Sequence, residues 1–97
     1  MRVIFSPRAR RRLREINRHI ASDNPGAAIR AVDRIVYVAG FLADHPRLGR
    51  DYDSRTRVLV VSGLPYRIHY SIDQAAGVVE IITVAHTSQR PPRFRRG

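Results

Sequence analysis

Few side chains in this 97-residue sequence can move a proton near neutral pH. They are the four histidines and, less readily, the eight acidic residues and the four tyrosines. His19, His45, His69 and His86 lie far apart along the chain, and there is no cysteine. Neither a zinc-ligand spacing nor a glycine-rich phosphate loop is present, so we expect no metal and no other cofactor.

Arginine is the main residue type that could bind a charged ligand. All 18 basic residues are arginine, against 8 acidic residues, and the net charge is +10. A guanidinium stays protonated up to about pH 12, so it cannot act as a base, but it binds phosphate and carboxylate well. A bias in codon usage explains why the basic residues are arginine rather than lysine. It does not explain the net charge of +10. That excess predicts an anionic partner, either nucleic acid or an acidic protein.

Three residues on predicted strands, Arg57, Arg67 and His69, are the candidates for contacting such a partner. Arg67 is the strongest, because an arginine on the exposed side of a central strand presents a fixed fork to an anion. An ion pair between Arg67 and Glu80, or another local acid, explains the same pattern equally well. The register between strands is needed to decide where Arg57 and His69 point.

Residues 90–97 form a predicted basic arm, rich in proline and arginine, that follows a single domain over residues 1–89. Arg90, Arg93 and Phe94 alternate charge with an aromatic ring, a pattern typical of segments that contact nucleic acid or a large target. A frayed, solubilising chain end is the alternative.

Proline and cap residues delimit the elements that must position these side chains. A strand at 3–5 ends at Ser6-Pro7, and a first helix follows to about Ser22. Asn24-Pro25 begins a second helix, which ends before His45-Pro46, and the short connection predicts a helical hairpin. The second helix has a broad apolar stripe, which predicts contact with both the first helix and a sheet: Ala28, Ile29, Val32, Ile35, Val36, Ala39 and Leu42.

Three β-favouring runs, 56–62, 66–72 and 78–86, are joined by short turns and predict an antiparallel meander. The element order β-α-α-β-β-β predicts an α+β fold, with the helical hairpin on one face of a small, mainly antiparallel sheet. Alternation along the middle strand places Tyr66, Ile68 and Tyr70 on the core side. It places Arg67 and His69 on the other side.

The composition predicts the class of protein and the cellular compartment in which it acts. With 43% hydrophobic and 27% charged residues, the chain is expected to fold as a soluble protein. No apolar run approaches the roughly 18 residues of a membrane span, and arginines occupy the place where a signal peptide would be apolar. We therefore expect a cytoplasmic protein without a membrane partner.

Six short motifs follow one another along the chain: Phe5-Ser6-Pro7-x-Ala9, Leu13-x-x-Ile16, Asn24-Pro25-x-Ala27-Ala28, Leu42-x-x-x-Pro46-x-x-Gly49-Arg50, Leu64-Pro65-Tyr66-Arg67-Ile68-x-Tyr70 and Val84-x-His86. Over residues 3–90, their order and spacing resemble the ParE/RelE superfamily of toxins from bacterial toxin–antitoxin pairs. The resemblance implies a toxin encoded beside an acidic antitoxin, whose largely helical segment folds as it wraps the toxin.

The resemblance leaves two branches open. The RelE branch cleaves messenger RNA on the ribosome, and there Arg67 and His86 would be the catalytic candidates. The ParE branch is associated with poisoning DNA gyrase. RelE-like chains typically have lysines on the sheet and often a tyrosine after the last strand, whereas this chain has no lysine and continues with Thr87-Ser88-Gln89. We therefore predict a gyrase-directed, ParE-like toxin, with the messenger-RNA endoribonuclease as the alternative and a non-toxic basic nucleic-acid-binding module as a third.

Overall fold

The computed structural model describes residues 1–94, so residues 95–97 of the predicted arm lie outside the described part of the chain. Both helices and four of the five strands in this part of the chain follow the predicted order, and the fifth strand, which is short, was not predicted. The elements are β1 (Arg2–Phe5), α1 (Pro7–Ala21), α2 (Pro25–Gly40), β2 (Arg50–Asp51), β3 (Arg57–Val60), β4 (Tyr66–Asp73) and β5 (Val78–His86). A single 3-10 turn, Phe41–Ala43, continues α2. The sequence prediction had extended the second helix too far, because the chain tightens at Gly40 before it reaches His45-Pro46.

The five strands form one mixed sheet in the order β1-β5-β4-β3-β2. Strands β3, β4 and β5 make the predicted antiparallel meander, while β1 pairs in parallel with β5. The α+β prediction is therefore confirmed. The strand that sequence reasoning missed, β2, has two residues and pairs with β3 at the sheet edge. So short a run has no detectable alternation.

Both helices begin as their cap residues predict. The Ser6 Oγ accepts the Ala9 backbone N–H at 3.0 Å, and the Asn24 Oδ1 accepts that of Ala27 at 3.0 Å. Proline fills the first helical position of each helix, where a missing N–H costs nothing. Each helix is thereby started by its own local sequence.

The helices cover one face of the sheet, called here the inner face. Its core joins both helices to β4 and β5 through apolar side chains that exclude water: Ala9, Ile16, Ile35, Ala39, Leu42, Tyr66, Ile68, Tyr70, Val79, Ile81 and Val84. The three β4 members confirm the predicted alternation of that strand. The opposite, outer face carries Arg67 and His69.

The broad apolar stripe of α2 is only partly buried. Ala28, Ile35 and Ala39 are buried, but Ile29 is 60% exposed and Val36 44% exposed. A helix of this diameter can turn only one side toward the core. The remaining apolar surface of α2 faces solvent.

A β-bulge interrupts the pairing of β4 with β5. His69 lies opposite Thr83 and Tyr70 opposite Ile81, so Ile82 has no partner in the ladder. The Ser6 Oγ donates a hydrogen bond to the Ile82 carbonyl at 2.7 Å, and the Ser6 N–H donates to Ile81 at 2.9 Å. The residue that caps α1 thus also satisfies the carbonyl group left free by the bulge.

Within residues 1–94, neither helix combines the length and apolar character that crossing a bilayer requires.

Candidate functional site

Arg67 and His69 lie two residues apart on the outer face of β4, as the alternation predicted. Their cross-strand neighbours on β5 are Ala85 and Thr83. Both residues line a cavity of about 350 Å³ that also contacts Arg50, Pro91 and Pro92. The outer face therefore has a recess whose floor is basic and one of whose walls is the described part of the arm.

The described part of the arm, residues 90–94, folds back over this face. The Tyr52 hydroxyl donates a hydrogen bond to the Pro92 carbonyl. The Phe94 ring lies 5.5 Å from the His69 ring and 5.9 Å from the Tyr52 ring, and the Arg8 guanidinium lies 5.6 Å from the Phe94 centroid. Arg90 and Arg93 remain exposed. This segment is packed rather than frayed, and Phe94 is one of the residues that hold it.

His69, which the sequence predicted as a target contact, is buried at 1% exposure. Its ring meets Tyr52 edge to face at a centroid distance of 4.6 Å. Burial, together with the positive charges of Arg67 and Arg8, lowers the pKa of His69 to about 4, although Asp53 acts in the opposite direction. At neutral pH the imidazole is therefore uncharged and serves as a packed ring under the arm.

Two buried nitrogens at this site have no hydrogen-bond partner among the described residues, the Arg67 Nε and the His69 Nδ1. A guanidinium N–H is an obligatory donor, and leaving it buried and unpaired costs about 1–3 kcal/mol. The alternative of an ion pair with Glu80 is wrong for the described structure, because Glu80 lies opposite Ser71, farther along β4. Arg67 thus retains donor capacity toward an anion.

Arg57, the other predicted target contact on a strand, points to the inner face and has a structural role. It lies opposite Tyr70, a core residue, whereas Val58 and Val60 share the outer face with Arg67. Its guanidinium donates to the Gly49 carbonyl at 2.6 and 3.0 Å and to the Asp51 carboxylate at 2.6 Å. The bonds to Gly49 fasten the loop before β2, and the bond to Asp51 fastens β2 itself. The face that Arg57 occupies depends on the pairing register between β3 and β4, which a single sequence does not reveal.

Tyr70 also holds the loop before β2, from inside the core. Its hydroxyl donates to the Pro46 carbonyl at 2.7 Å and accepts the Gly49 N–H at 2.9 Å. A Cβ at position 49 would stand 2.6 Å from the Val58 carbonyl oxygen and 2.9 Å from the Tyr70 ring. Glycine is therefore the residue that fits, and the Pro46-x-x-Gly49 motif is accounted for by packing.

The ring of His86 packs on the helix side of the sheet, at the end of β5. His86 lies opposite Tyr66, an inner-face residue, and the two rings are 5.3 Å apart. A cavity of about 400 Å³ beside it is lined by Arg12, Glu15 and His19 of α1. His86 also borders the outer cavity at the end of β5, but its ring is engaged on the helix side. The two catalytic candidates of the ribonuclease alternative, Arg67 and His86, thus both line the outer cavity, while the His86 ring also packs against Tyr66.

The hydrogen bonds of His86 fix its tautomer when the ring is neutral. The Ser88 backbone N–H donates to the His86 Nδ1 at 3.0 Å, and the Ser88 Oγ lies 2.7 Å from the same nitrogen. Nδ1 is thus an acceptor, and the ring hydrogen resides on Nε2.

The α1 side of that cavity is held by an ion pair. The Arg12 guanidinium donates to the Glu15 carboxylate at 2.9 Å, which lowers the pKa of Glu15, and also donates to the Val84 carbonyl at 3.1 Å. No group of three histidine or carboxylate side chains within residues 1–94 converges as metal ligands would.

Sequence reasoning missed Tyr52, which lines the outer cavity together with Pro92 of the predicted arm, and it missed the contact of Arg8 with the Phe94 ring. Tyr52 lies in a turn-rich stretch without regular alternation, and Arg8 is one of several arginines on α1. The single hint was that Phe94 and Tyr52 are aromatic residues in otherwise polar, turn-rich stretches.

Residues 3–91 match the family model described as "ParE toxin of type II toxin-antitoxin system, parDE". The chain is 42% identical over 93 residues to a "Putative toxin Y4kP" of Sinorhizobium fredii, covering 95% of this chain and 94% of that one. It is 37% identical over 90 residues to "Toxin RelE3" of Caulobacter vibrioides, covering 91% of this chain and 96% of the relative.

The fold is also found among solved structures. A chain of the "Chromosomal ParDE TA system from P. aeruginosa" superposes with a TM-score of 0.79 at 20% sequence identity. The superposition covers 91% of this chain and 97% of the other. At this identity the likeness supports the architecture of two helices on a five-stranded sheet.

Proposed function

Because the chain belongs to the ParE family of toxins from type II toxin–antitoxin systems, within the ParE/RelE superfamily, we propose that it arrests growth by poisoning DNA gyrase. In this proposal, an acidic antitoxin encoded by the neighbouring gene holds the toxin inactive, and both act in the cytoplasm. The net charge of +10 supports an acidic partner.

The placement of the proton-transfer groups is the observation that favours gyrase over RNA cleavage. Cutting a phosphodiester without a metal requires a base, an acid and a cationic clamp within reach of one another. Arg67 can be the clamp, but His69 beside it is buried and packed between aromatic rings. The ring of His86 is engaged on the other side of the sheet. This arrangement suits binding better than bond breaking.

Arg67, Arg90 and Arg93 are the proposed target contacts. Arg67 lines the outer cavity, whereas Arg90 and Arg93 line a second cavity that shares Tyr52, Pro91 and Pro92 with it. The Arg67 Nε lacks a partner among the described residues. Arg57, His69 and Phe94 support this surface from below and from the side rather than contacting the target.

A supercoiling assay tests the proposal. Purified protein added to gyrase and relaxed plasmid is expected to inhibit supercoiling, and Arg67→Ala is expected to weaken that inhibition roughly tenfold, since a charge-assisted hydrogen bond contributes about 1.5–3 kcal/mol. Arg14→Ala, on the exposed back of α1, is the matched control and should inhibit like the wild type. Unchanged supercoiling, together with degradation of ribosome-bound message, would contradict the proposal.

The ribonuclease alternative keeps one specific support, the 37% identity to a relative named RelE3. It predicts cleavage of message on programmed ribosomes that is abolished by Arg67→Ala and by His86→Ala. The third interpretation, a non-toxic nucleic-acid-binding module, gains no support from relatives that are named toxins.

A further inference from the structure

Within residues 1–94, three buried side-chain atoms have no hydrogen-bond partner: the Thr56 Oγ1, the Arg67 Nε and the His69 Nδ1. All three residues line cavities that have part of the arm as a wall. Arg67 and His69 line the outer cavity with two prolines of the arm, and Thr56 lines a neighbouring cavity of about 310 Å³ with Phe94. Buried polar atoms are normally paired. The arm therefore covers polar groups of the outer face without satisfying them.

Residues 90–94 are held on the outer face by few contacts. The bond from the Tyr52 hydroxyl to the Pro92 carbonyl is the one hydrogen bond that they make with the rest of the described chain. The Phe94 ring adds contacts with two aromatic rings beneath it and with the Arg8 guanidinium. A segment held by one hydrogen bond and one ring opens at a small free-energy cost compared with the sheet below it.

The turn that precedes this segment is anchored more firmly. The Thr87 N–H donates to the Pro65 carbonyl at 2.8 Å, and the Gln89 Oε1 accepts the His86 N–H at 3.0 Å. The Gln89 N–H donates to the His86 carbonyl at 3.0 Å. The chain up to residue 89 is thus fixed to the end of the sheet, and residues 90–94 can move about this point.

Charge also opposes the packing of the arm. Arg90 and Arg93 line a cavity that shares Tyr52 and both prolines with the outer cavity, whose own lining includes Arg50 and Arg67. Like charges on adjoining cavities repel one another, whereas an anionic group is attracted to the same place. The charges that favour a bound anion therefore also favour release of the arm.

We propose that residues 90–94 are an autoinhibitory lid on the outer face. In the closed state described above, Phe94 covers His69, and the prolines form a wall beside Arg67. In the open state, an anionic group of the target reaches Arg67 and pairs with the Nε donor that the arm leaves unpaired. The inference rests on the proposed function, because it states how access to that target surface is regulated. It makes the end of the chain a competitor of the target.

Modification of His69 by diethyl pyrocarbonate measures the opening, because this reagent reacts with uncharged imidazoles that solvent reaches. His69 is 1% exposed, whereas His19 and His45 are exposed and serve as internal references in site-resolved mass spectrometry. Tyr52→Phe removes the hydrogen bond to the arm but keeps the ring over His69. We expect His69 in this variant to be modified roughly fivefold faster than in the wild type, the effect of one lost hydrogen bond.

A second variant loosens the lid from the side of α1. Arg8→Gln removes the guanidinium beside the Phe94 ring and should raise the modification of His69 about two- to fivefold. Arg14→Gln, on the exposed back of α1, makes the same change of charge away from the arm and should match the wild type. Thermal unfolding verifies that the variants fold. Modification of His69 at the wild-type rate in both loosened variants would overturn the lid.

The supercoiling assay measures the consequence for the target. If only the open state binds, the apparent dissociation constant falls as the open fraction rises, so Tyr52→Phe is expected to inhibit gyrase at a roughly fivefold lower concentration. Faster modification of His69 combined with weaker inhibition would mean that the arm closes over the bound target as a clamp, and would overturn the lid. If neither the wild type nor any variant inhibits gyrase, the proposed function fails, whereas faster modification of His69 in both loosened variants would still support the lid.

Discussion

At the scale of single residues, the outer face shows how a side chain of catalytic type can be used for packing. His69 has the chemistry of a general base, but Tyr52 and Phe94 enclose it and two arginines oppose its protonation. Arg57 is similar, because its charge holds the loop before β2 rather than an external anion. Arg67, by contrast, has an Nε without a hydrogen-bond partner among the described residues.

The depressed pKa of His69 predicts a pH dependence of stability. Between about pH 6.5 and about pH 4, the unfolded chain binds a proton at this residue that the folded chain excludes. Stability is therefore expected to fall as the pH drops through this window, in contrast to a paired histidine, which gains stability there. Urea midpoints measured from pH 7.5 to pH 4 should show this loss in the wild type. His69→Phe keeps a ring without a proton and should flatten the curve, whereas a parallel loss in both proteins would mean that other groups are responsible.

Gly49 and Gly40 form a matched pair for testing the packing of the loop before β2. Gly49→Ala forces a methyl group against the Val58 carbonyl and the Tyr70 ring, so we expect a loss of about 2 kcal/mol or more in unfolding free energy. Gly40→Ala meets nothing within 4 Å at the end of α2, and we expect a gain of about 0.5 kcal/mol. Denaturant unfolding at pH 7 checks both. A tolerated alanine at position 49 would mean that the loop can move away from Tyr70.

At the scale of elements, the start of α1 is fixed both locally and by the sheet. The Ser6 hydroxyl caps the helix and donates to the bulged Ile82 carbonyl, while the Asn24 side chain caps α2. Ser6→Ala is therefore expected to cost about 2 kcal/mol of unfolding free energy, against about 1 kcal/mol for Asn24→Ala. Chemical denaturation of the two variants gives the comparison. Equal losses would show that the bond to the bulge contributes nothing net.

The packing of residues 90–94 on the outer face can be tested by removing one hydrogen bond. Tyr52→Phe removes the hydroxyl that donates to the Pro92 carbonyl, so residues 90–94 should leave the outer face roughly five times more often, the effect of about 1 kcal/mol. Trypsin cleavage after Arg93, followed by mass spectrometry, reports that opening. Tyr37→Phe changes an exposed hydroxyl and should cleave at the wild-type rate.

Features that are set by residues close together in the sequence could be predicted. Features that depend on contacts between distant segments could not. The Ser6-Pro7 and Asn24-Pro25 starts and the alternation of Tyr66, Ile68 and Tyr70 are encoded within a few residues. The inward turn of Arg57, the bulge at Ile82 and the exposure of Ile29 depend on register and on which face another element covers. For the same reason, the shared face of Arg67 and His69 was foreseen, but its cover by the arm was not.

At the scale of the whole molecule, the charge of +10 is spread over the back of α1, the outer face and the arm. Like charges so close together repel in the compact state. We expect the unfolding free energy to rise as sodium chloride is raised from about 0.05 to about 0.5 M, because screening shortens the range of that repulsion. Urea unfolding at constant pH measures it. Replacing Arg11 and Arg14 together by glutamine should reduce the slope, and an unchanged slope would place the repulsion elsewhere.

The parallel pairing of β1 with β5 sets a condition on how the chain is made. Arg2 to Phe5 lie beside Val78 to Ile81, so the first strand to leave the ribosome has no neighbour until the last strand has followed it. Contacts of such long sequence separation form late and slowly. During synthesis, the sides of β1, α1 and α2 that later face the core therefore stay exposed until β5 has been made. The finished sheet can close only when translation has passed residue 81.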